Sequence, residues 1–337
     1  MASRLMHALV YGGGYVDGAV GLKHVEVPVP SPGKDELLIK VEAASINPVD
    51  WKIYNLRNLL RPFLSRSHPP IPGNDVAGEV VEVGSRVQKF KPGDNVVTVL
   101  SVYTAGGLSE YCVAKEKVTV LRPAEVSAAE GAGLPVAGLT ALVSLTQYAG
   151  LKLNKHGDEN GPQKNILVTA ASGGVGQYAV QLAKLGGAHV TATCGARNFE
   201  LVKGLGADEV LDYKTAEGAA LVSPSGRRYD AVVHCAPTVP WSVFEPNLAE
   251  NGVVIDLIPS LGTKWASTVK KITFSKKKLF TFMLTPSDDE GLKFLVGLMK
   301  EGKLKTIIDS KHALSKGEEG WSKGVSGHAT GKIVIEP

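Results

Sequence analysis

Residues 169–177, TAASGGVGQ, carry glycines at the spacing of a phosphate-binding loop. Gly173 and Gly176 fill the second and third places of the pattern G-x-G-x-x-G, and Ala171 stands at the first. The second glycine lets the backbone approach a pyrophosphate, and the third lets a helix pack closely on the preceding strand. The spacing therefore predicts a dinucleotide site whose tight turn tolerates the methyl group of Ala171.

The elements around this loop are those that such a site requires. An apolar run at 165–170 precedes it, and a helical run at 175–185 follows it. Further strands are predicted at 189–194, 209–212, 229–234 and 253–258, with a helix at 199–205. Strands that are apolar throughout are typical of a parallel sheet covered by helices on both faces. We therefore expect a doubly wound α/β domain, with the anion at a helix N-terminus.

The end of the next predicted strand indicates which dinucleotide binds. An NAD site usually places Asp or Glu about 20 residues after the loop, where it binds the ribose 2′-hydroxyl. Here the strand ends TCGARN, with Arg197 and no acid. A guanidinium group pairs well with a phosphate, so the sequence favours NADP(H) over NAD(H). An arginine on the surface without a ligand is the alternative.

Composition places the chain among soluble, globular proteins of about two domains. The chain has 337 residues, 44% hydrophobic and 21% charged, with a net charge of +4 and three widely spaced cysteines. No disulfide framework and no membrane-spanning run is expected. Basic residues gather only at Lys270, Lys271 and 276–278. This stretch is either a solvated strand end or a contact with a membrane surface or a polyanion, and nucleic acid is not an expected partner.

The predicted domain boundaries follow from changes in residue composition and in the pattern of predicted strands and helices. Residues 1–126 contain short β-rich runs broken by Gly and Pro, which predict a compact β-barrel-like domain. From Ser127 the chain becomes rich in Ala and Leu and then alternates strands with helices up to 286. The tail at 287–337 contains a predicted helix at 289–300 and a final strand at 332–335.

Several motifs together resemble one enzyme family. They are AASINPVDWK, IPGNDVAGEVVEVGSRVQKFKPGDNV, GLSEYCVA, LPVAGLTAL, VTAASGGVGQYAVQLAK, LGADEVLDY and HATGKIVIEP. The chain resembles the quinone oxidoreductase branch of the medium-chain dehydrogenase/reductase superfamily, and most closely its plant chloroplast-envelope members. This resemblance implies a GroES-like catalytic domain at 1–126 completed by 287–337, and a Rossmann NADP(H)-binding domain at 127–286. It also implies a plastid location, with the cytoplasm as the alternative, and peripheral attachment to the envelope.

The resemblance also assigns site residues. Asn47 and Lys52 are expected at the nicotinamide end as cofactor-binding and catalytic residues. The other expected NADPH contacts are Thr140, Ser172, Gly173, Gly174, Val175, Gly195, Ala196, Arg197, Tyr213, His234, Cys235, Ala236, Leu257, Ile258, His328 and Ala329. Of these, Arg197 and Tyr213 are expected to hold the 2′-phosphate. Resemblance and the edge-like run 272–275 predict a homodimer through the nucleotide domain.

The motifs depart from those of zinc alcohol dehydrogenases. Those enzymes carry an early Cys ligand, a Gly-His-Glu motif and a four-Cys lobe, whereas this chain reads Gly73-Asn74-Asp75 and lacks the cysteine cluster. The resemblance then implies a metal-free reductase of enones, oxidised-lipid ketols among them, or of quinones. Lys52 or the ribose hydroxyl donates to the carbonyl oxygen, or Lys52 only binds the cofactor. Asp50 and Asp75 are interpreted as structural or orienting residues. A cofactor-binding scaffold or membrane-peripheral protein with little turnover is the alternative function.

Overall fold

The computed structural model describes residues 4–16, 19–54, 70–102, 105–153, 162–237, 239–259, 276–281 and 289–337. The chain divides into two compact units, Met1–Leu139 with Pro286–Pro337, and Thr140–Thr285. Among the described residues, no helix is long and apolar enough to cross a membrane.

Strands and helices are numbered along the described chain. The strands are β1 Leu5–Val16, β2 Ala19–Pro28, β3 Glu36–Ser45, β4 Asp75–Val83, β5 Asn95–Val99, β6 Tyr111–Lys115, β7 Thr119–Leu121, β8 Asn165–Val168, β9 His189–Cys194, β10 Glu209–Asp212, β11 Tyr229–His234, β12 Leu248–Asp256, β13 Lys278–Thr281, β14 Ile308–Ala313 and β15 Lys332–Glu336. The helices are α1 Pro48–Lys52, α2 Ala128–Gly133, α3 Pro135–Val143, α4 Gly176–Leu185, α5 Phe199–Gly204, α6 Ala216–Ala219, α7 Trp241–Phe244, α8 Glu290–Lys300 and α9 Gly317–Val325.

The first unit is built on a sheet of order β14-β15-β3-β4-β5-β7, with β6 also paired to β3 and a separate β1-β2 hairpin. All of its strand pairs are antiparallel except β14 with β15. Most residues of β3 and the first half of β4 are buried, whereas the charged Lys40, Glu42 and Glu82 are exposed. Trp321 of α9 lies in this core, and its indole N–H donates to the Val20 carbonyl at 3.0 Å.

The second unit is the predicted doubly wound sheet. Its six strands run in the order β10-β9-β8-β11-β12-β13, and every neighbouring pair is parallel. Ile166, Leu167 and Val168 of β8 are fully buried, because the central strand of such a sheet is covered on both faces. The fold class expected from the sequence, a GroES-like domain with a Rossmann domain, is confirmed.

The unit boundary lies later than the predicted change at residue 127. Ser127 begins helix α2 in a capping box with Glu130, but this helix packs on β3 and β4 of the first unit. A Cβ on Gly131 would lie 2.8 Å from Val97 Cγ2, and Thr306 of the tail donates to the Glu130 carbonyl at 3.0 Å. The Ala-rich composition correctly indicated a helix but contained no information about which sheet the helix covers.

Candidate active site

The connections at the carboxyl edge of the second unit's sheet carry most of the predicted site residues. The strand order reverses between β8 and β11, which is the switch point where open α/β sheets bind ligands. The glycine loop follows β8, and residues 195–197 follow β9. Tyr213 follows β10, and residues 235–236 and 257–258 follow β11 and β12. Parallel strands end at one edge, so these segments line one side of the unit.

Close packing in the glycine loop explains its pattern of small residues. A Cβ on Gly176 would lie 2.3 Å from the Ala170 carbonyl oxygen and 2.7 Å from Ala171 Cα, so helix α4 starts against the backbone that leaves β8. A Cβ on Gly173 would meet only the Ala170 oxygen, at 3.2 Å. The left-handed residue is Ala170, with φ of 49°, and Ala171 lies outside that region. The backbone at position 171 therefore does not need a glycine, in agreement with the interpretation of the sequence.

The ribose end of the predicted site lies at the ends of β9 and β10. Arg197 and Ala196 are exposed, and Tyr213 is 54% exposed beside Gly195. Asn198 donates its side-chain N–H to Ser172 Oγ at 3.0 Å, which links this segment to the glycine loop. The nearby Asp212 carboxylate accepts the Lys214 N–H at 3.0 Å. An arginine and a phenol ring on one surface are suited to holding a phosphate.

A hydrogen-bonded junction joins the ends of β8 and β11. Thr169 Oγ1 accepts the Cys235 backbone N–H at 2.9 Å and lies 2.9 Å from His234 Nδ1. These two hydrogen bonds join the end of β11 to the residue that precedes the glycine loop. Burial lowers the pKa of His234, and the Asp256 carboxylate opposes this effect. The imidazole is therefore neutral near pH 7.

The rest of this edge is hydrogen-bonded, and its thiol, that of Cys235, is protonated at neutral pH. Ile258 donates its N–H to Asp256 Oδ1 at 2.9 Å, and Leu257 donates to the His234 carbonyl at 3.1 Å. Burial raises the pKa of Cys235 to about 12, so the group is a thiol at neutral pH. Ala236 is half-buried beside it. Leu257 and Ile258 are half-buried as well, and the contacts of these residues with a nicotinamide ring stay predictions.

In the first unit, strand ends place Asn47 in a buried polar cluster. Ser45 ends β3 and pairs with Asp75, the first residue of β4. Strand β15 runs antiparallel to β3, with Val334 opposite Ser45, which brings Lys332 to the same end of the sheet. Asn47 Nδ2 donates to Asp75 Oδ2 at 2.8 Å, and Lys332 Nζ donates to Asn47 Oδ1 at 2.5 Å. All four side chains are buried.

Lys332 forms a buried ion pair with Asp75 in this cluster, and the charge of Asp50 also acts on it. Lys332 Nζ lies 3.4 Å from Asp75 Oδ2, and the two residues are 2% and 0% exposed. Burial raises the pKa of Asp75, and the Lys332 charge is the largest opposing effect. Burial lowers the pKa of Lys332, and the Asp75 charge opposes it. Asp75 also accepts the Val136 N–H at 2.8 Å, and its role, structural or orienting, stays a prediction.

Lys52 lies in helix α1, which is held in place by hydrogen bonds of Asp50 and by packing of Trp51. Asp50 is buried and accepts the Asn47 backbone N–H at 2.7 Å and the Gly73 N–H at 3.3 Å. The half-buried Trp51 packs edge-on against Trp321 with ring centroids 5.5 Å apart. Lys52 itself is exposed, and the neighbouring atoms that crowd its ammonium group lower its pKa by desolvation. The Lys52 side chain is therefore open to solvent, and the contacts of Lys52 and Asn47 with a cofactor stay predictions.

The three remaining predicted cofactor contacts are His328, Ala329 and Thr140. His328 is exposed and Ala329 packs against the core of the first unit, both just after α9. Thr140 is buried in α3, where its carbonyl accepts the Ser144 hydroxyl at 2.7 Å. Their contacts with a cofactor stay predictions.

Asn74 and Asp75 stand where zinc alcohol dehydrogenases carry the His and Glu of their Gly-His-Glu motif. Asn74 donates its side-chain N–H to the Leu100 carbonyl at 3.0 Å, and Asp75 belongs to the cluster with Lys332. Among the described residues, no group of three or more His, Cys, Asp and Glu is arranged to hold a metal ion.

Sequence reasoning did not single out Thr169 or Lys332. Thr169 directly precedes the glycine loop, and a polar residue between an apolar strand and that loop was an available signal. Lys332 starts the apolar run of the tail, 257 residues after Asp75. Such a pairing has no signal in a single sequence.

Comparisons with known proteins agree with this arrangement. Residues 33–124 match the family model of the alcohol dehydrogenase GroES-like domain, and 205–335 match that of zinc-binding dehydrogenases. The chain is 64% identical over its full length to the full-length chloroplast envelope quinone oxidoreductase homolog of Arabidopsis thaliana. It is 33% identical to the Arabidopsis chloroplastic NADPH-dependent alkenal/one oxidoreductase, over 92% of this chain and 74% of that protein.

A solved structure gives the same result at the level of the fold. The quinone oxidoreductase of Coxiella burnetii superposes with a TM-score of 0.83 at 30% identity, covering 99% of this chain and all of that one. The described residues at the strand ends fit the nicotinamide cofactor of such enzymes, because the glycine loop provides the close backbone approach that a pyrophosphate needs. The chain is therefore an NAD(P)H-dependent oxidoreductase and belongs to the quinone oxidoreductase branch of the medium-chain dehydrogenase/reductase superfamily.

Proposed function

We propose that this oxidoreductase uses NADPH to reduce the electron-poor C=C bond of enones, or quinones, without a metal ion. The observation that carries the cofactor choice is the exposed Arg197 at the end of β9, where NAD enzymes of this fold place an acid. Arg197 and the exposed ring of Tyr213 are the groups that would hold the 2′-phosphate. Gly173, Gly174 and Val175, with Ser172, would hold the pyrophosphate.

The substrate class is supported by the relatives and by the residues of the first unit. One relative is named a quinone oxidoreductase homolog and another an alkenal/one oxidoreductase. NADPH supplies the hydride that such a reduction needs. The protein must place a donor at the substrate's carbonyl oxygen, where negative charge develops. We assign this role to the Lys52 ammonium group, which helix α1 holds at the surface.

Metal independence is proposed from the sequence. Zinc needs deprotonated nitrogen or sulfur ligands at fixed spacing. The chain has Gly73-Asn74-Asp75 in place of the Gly-His-Glu motif and lacks the four-Cys lobe. Without a zinc ion, the negative charge that develops on the substrate's carbonyl oxygen must be stabilised by hydrogen-bond donors.

The assay follows NADPH absorbance with a small enone, a naphthoquinone and the matching saturated ketone, each with and without a chelator. The expected result is turnover of the enone or the quinone, no turnover of the saturated ketone, and no effect of the chelator. Tight NADPH binding with no turnover of any substrate would support the scaffold alternative instead. Zinc-dependent alcohol oxidation would contradict the proposed chemistry.

Location is consistent with this assignment. The plastid location expected from the sequence agrees with the chloroplastic relatives. Membrane attachment stays a proposal, and Lys270 and Lys271 lie outside the described residues. Lys276 pairs with Glu250, and Lys277 donates to the Glu245 carbonyl at 2.6 Å, so part of this basic stretch is engaged within the unit. Salt-dependent retention on anionic liposomes tests the attachment.

A further inference from the structure

The buried cluster at the end of β3, β4 and β15 contains an ion pair with no assigned role in the chemistry. We call Ser45, Asn47, Asp75 and Lys332 the strand-end cluster. Ser45 Oγ donates to Asp75 Oδ2 at 3.0 Å, beside the bond from Asn47. A buried ion pair is weak evidence for a role in stability, because well-packed apolar residues often replace it without loss. The geometry of the cluster points to a different use.

The donors of Lys332 match the acceptors around it. Its ammonium group lies 3.3 Å from the Ile46 carbonyl oxygen, 2.5 Å from Asn47 Oδ1 and 3.4 Å from Asp75 Oδ2. An ammonium group has three N–H donors, so these three acceptors account for all of them. Lys332 is therefore suited to orient its neighbours and not to bind a ligand.

These contacts fix the side-chain amide of Asn47 in one orientation. Its oxygen faces the Lys332 ammonium group and its nitrogen faces the Asp75 carboxylate. The flipped amide would place NH₂ against a cation and C=O against an anion, with both hydrogen bonds lost. One N–H of the amide is used by Asp75, so the second N–H is its remaining donor. A charge at each end of the amide also strengthens that donor, since hydrogen bonds in series polarise one another.

We propose that Lys332 and Asp75 are positioning residues that make Asn47 present an N–H donor, and not a C=O acceptor, to a carbonyl oxygen at the reaction centre. The inference rests on the proposed function and on the family resemblance, which implies that Asn47 lies at the nicotinamide end. The carbonyl oxygen belongs either to the carboxamide of the cofactor or to the enone. In both cases the donor helps to hold reacting groups in line.

A double-mutant cycle tests the proposal. Lys332→Met alone leaves the Asp75 carboxylate buried without its partner and risks unfolding. The variant Lys332→Met/Asp75→Asn removes both charges and avoids this problem. It is compared with Asn47→Ala, with the triple variant, and with Lys311→Met on the neighbouring strand β14, whose ion pair with Glu336 at 2.9 Å is half exposed. Thermal unfolding is measured for every protein.

If Lys332 and Asp75 act through Asn47, the loss of kcat/KM in the triple variant is smaller than the product of the losses in Asn47→Ala and the double variant. We expect Asn47→Ala and the double variant each to lower kcat/KM about 10- to 100-fold, and the triple variant to lie within about threefold of Asn47→Ala. Lys311→Met should retain the parental rate. A raised Kd for NADPH assigns the carbonyl to the cofactor, and a lower kcat/KM for the enone at saturating NADPH assigns it to the substrate. Multiplying losses, or a double variant with the parental rate, would overturn the proposal.

A second measurement is independent of turnover. In protein with nitrogen-labelled asparagine, the side-chain amide protons of Asn47 should exchange slowly with solvent, and the double variant should lose this protection. Rapid exchange in the parent protein would also overturn the proposal. If the parent reduces none of the substrates but shows slow exchange that the double variant loses, the proposed function fails while the positioning role stands.

Discussion

Substitution of Gly176 by alanine should separate packing from phosphate binding when it is compared with the same change at Gly173. A Cβ on Gly176 would lie 2.3 Å from the Ala170 oxygen, whereas ordinary contact begins near 3.4 Å. Helix α4 must therefore move by about 1 Å, because both sides of this contact are backbone. Overpacking of this kind costs about 1–3 kcal/mol. A chain of this size gains about 0.7 kcal/mol/K of entropy on unfolding, so the expected fall in Tm is about 1–4 °C.

The matched control is Gly173→Ala. Its Cβ would lie 3.2 Å from the same oxygen, and a shift of a few tenths of an ångström relieves that contact. The Tm should therefore stay within about 1 °C of the parent. This methyl group would stand where the backbone approaches the pyrophosphate, so the Kd for NADPH should rise about 10- to 100-fold through weakened charge-assisted bonds.

Circular dichroism gives the Tm values, and cofactor fluorescence gives Kd. We expect Gly176→Ala to lose both stability and affinity, and Gly173→Ala to lose affinity alone. A parental Tm for Gly176→Ala would refute the close-packing argument. Parental NADPH affinity in Gly173→Ala would refute the placement of the pyrophosphate.

Four further predictions concern the cofactor, the donor, the metal and the assembly. Arg197→Ala should weaken NADPH binding about 10- to 100-fold and leave NADH nearly unchanged, with Arg228→Ala as an exposed control; equal loss for both cofactors would contradict the 2′-phosphate contact. Lys52→Met should lower kcat about 10- to 1000-fold if its ammonium group stabilises the enolate, whereas a loss only in the KM for NADPH would assign it to cofactor binding. Because desolvation lowers the pKa of Lys52 from its ordinary value of 10.5, kcat should fall as pH rises through that lowered pKa, and Lys52→Met should remove this limb. Chelators should leave activity unchanged, and stoichiometric zinc whose removal abolishes activity would disprove metal independence. Light scattering should give a dimer; the run 272–275 expected at its interface lies outside the described residues, and a monomer at every concentration would exclude this assembly.

The sequence predicted the local structure of the nucleotide-binding unit well, because its strands carry their own signals. The bounds of β9, β10 and β11 are those expected from the apolar runs, and α4 begins one residue later than predicted. Strand β12 starts at Leu248, five residues before the predicted start at Val253, because Tyr229 pairs with Leu248 across a register shift. Apolar runs reveal where a strand is buried, whereas polar strand ends are fixed by hydrogen bonding to a neighbour.

What the sequence alone determined is the class of site: a glycine loop between a strand and a helix, an arginine in place of an acid, and motifs of one enzyme family. These features are local, since each depends on residues within one turn or one strand–helix unit. The strand order that gathers the loop ends, the neutral state of His234 beside Thr169, and the meeting of Asp75 with Lys332 were decided only by tertiary structure. Each depends on which distant groups share one buried volume. Burial turns an ordinary lysine at the start of a strand into a fixed cation, and the adjoining carboxylate and amide satisfy its charge and donors.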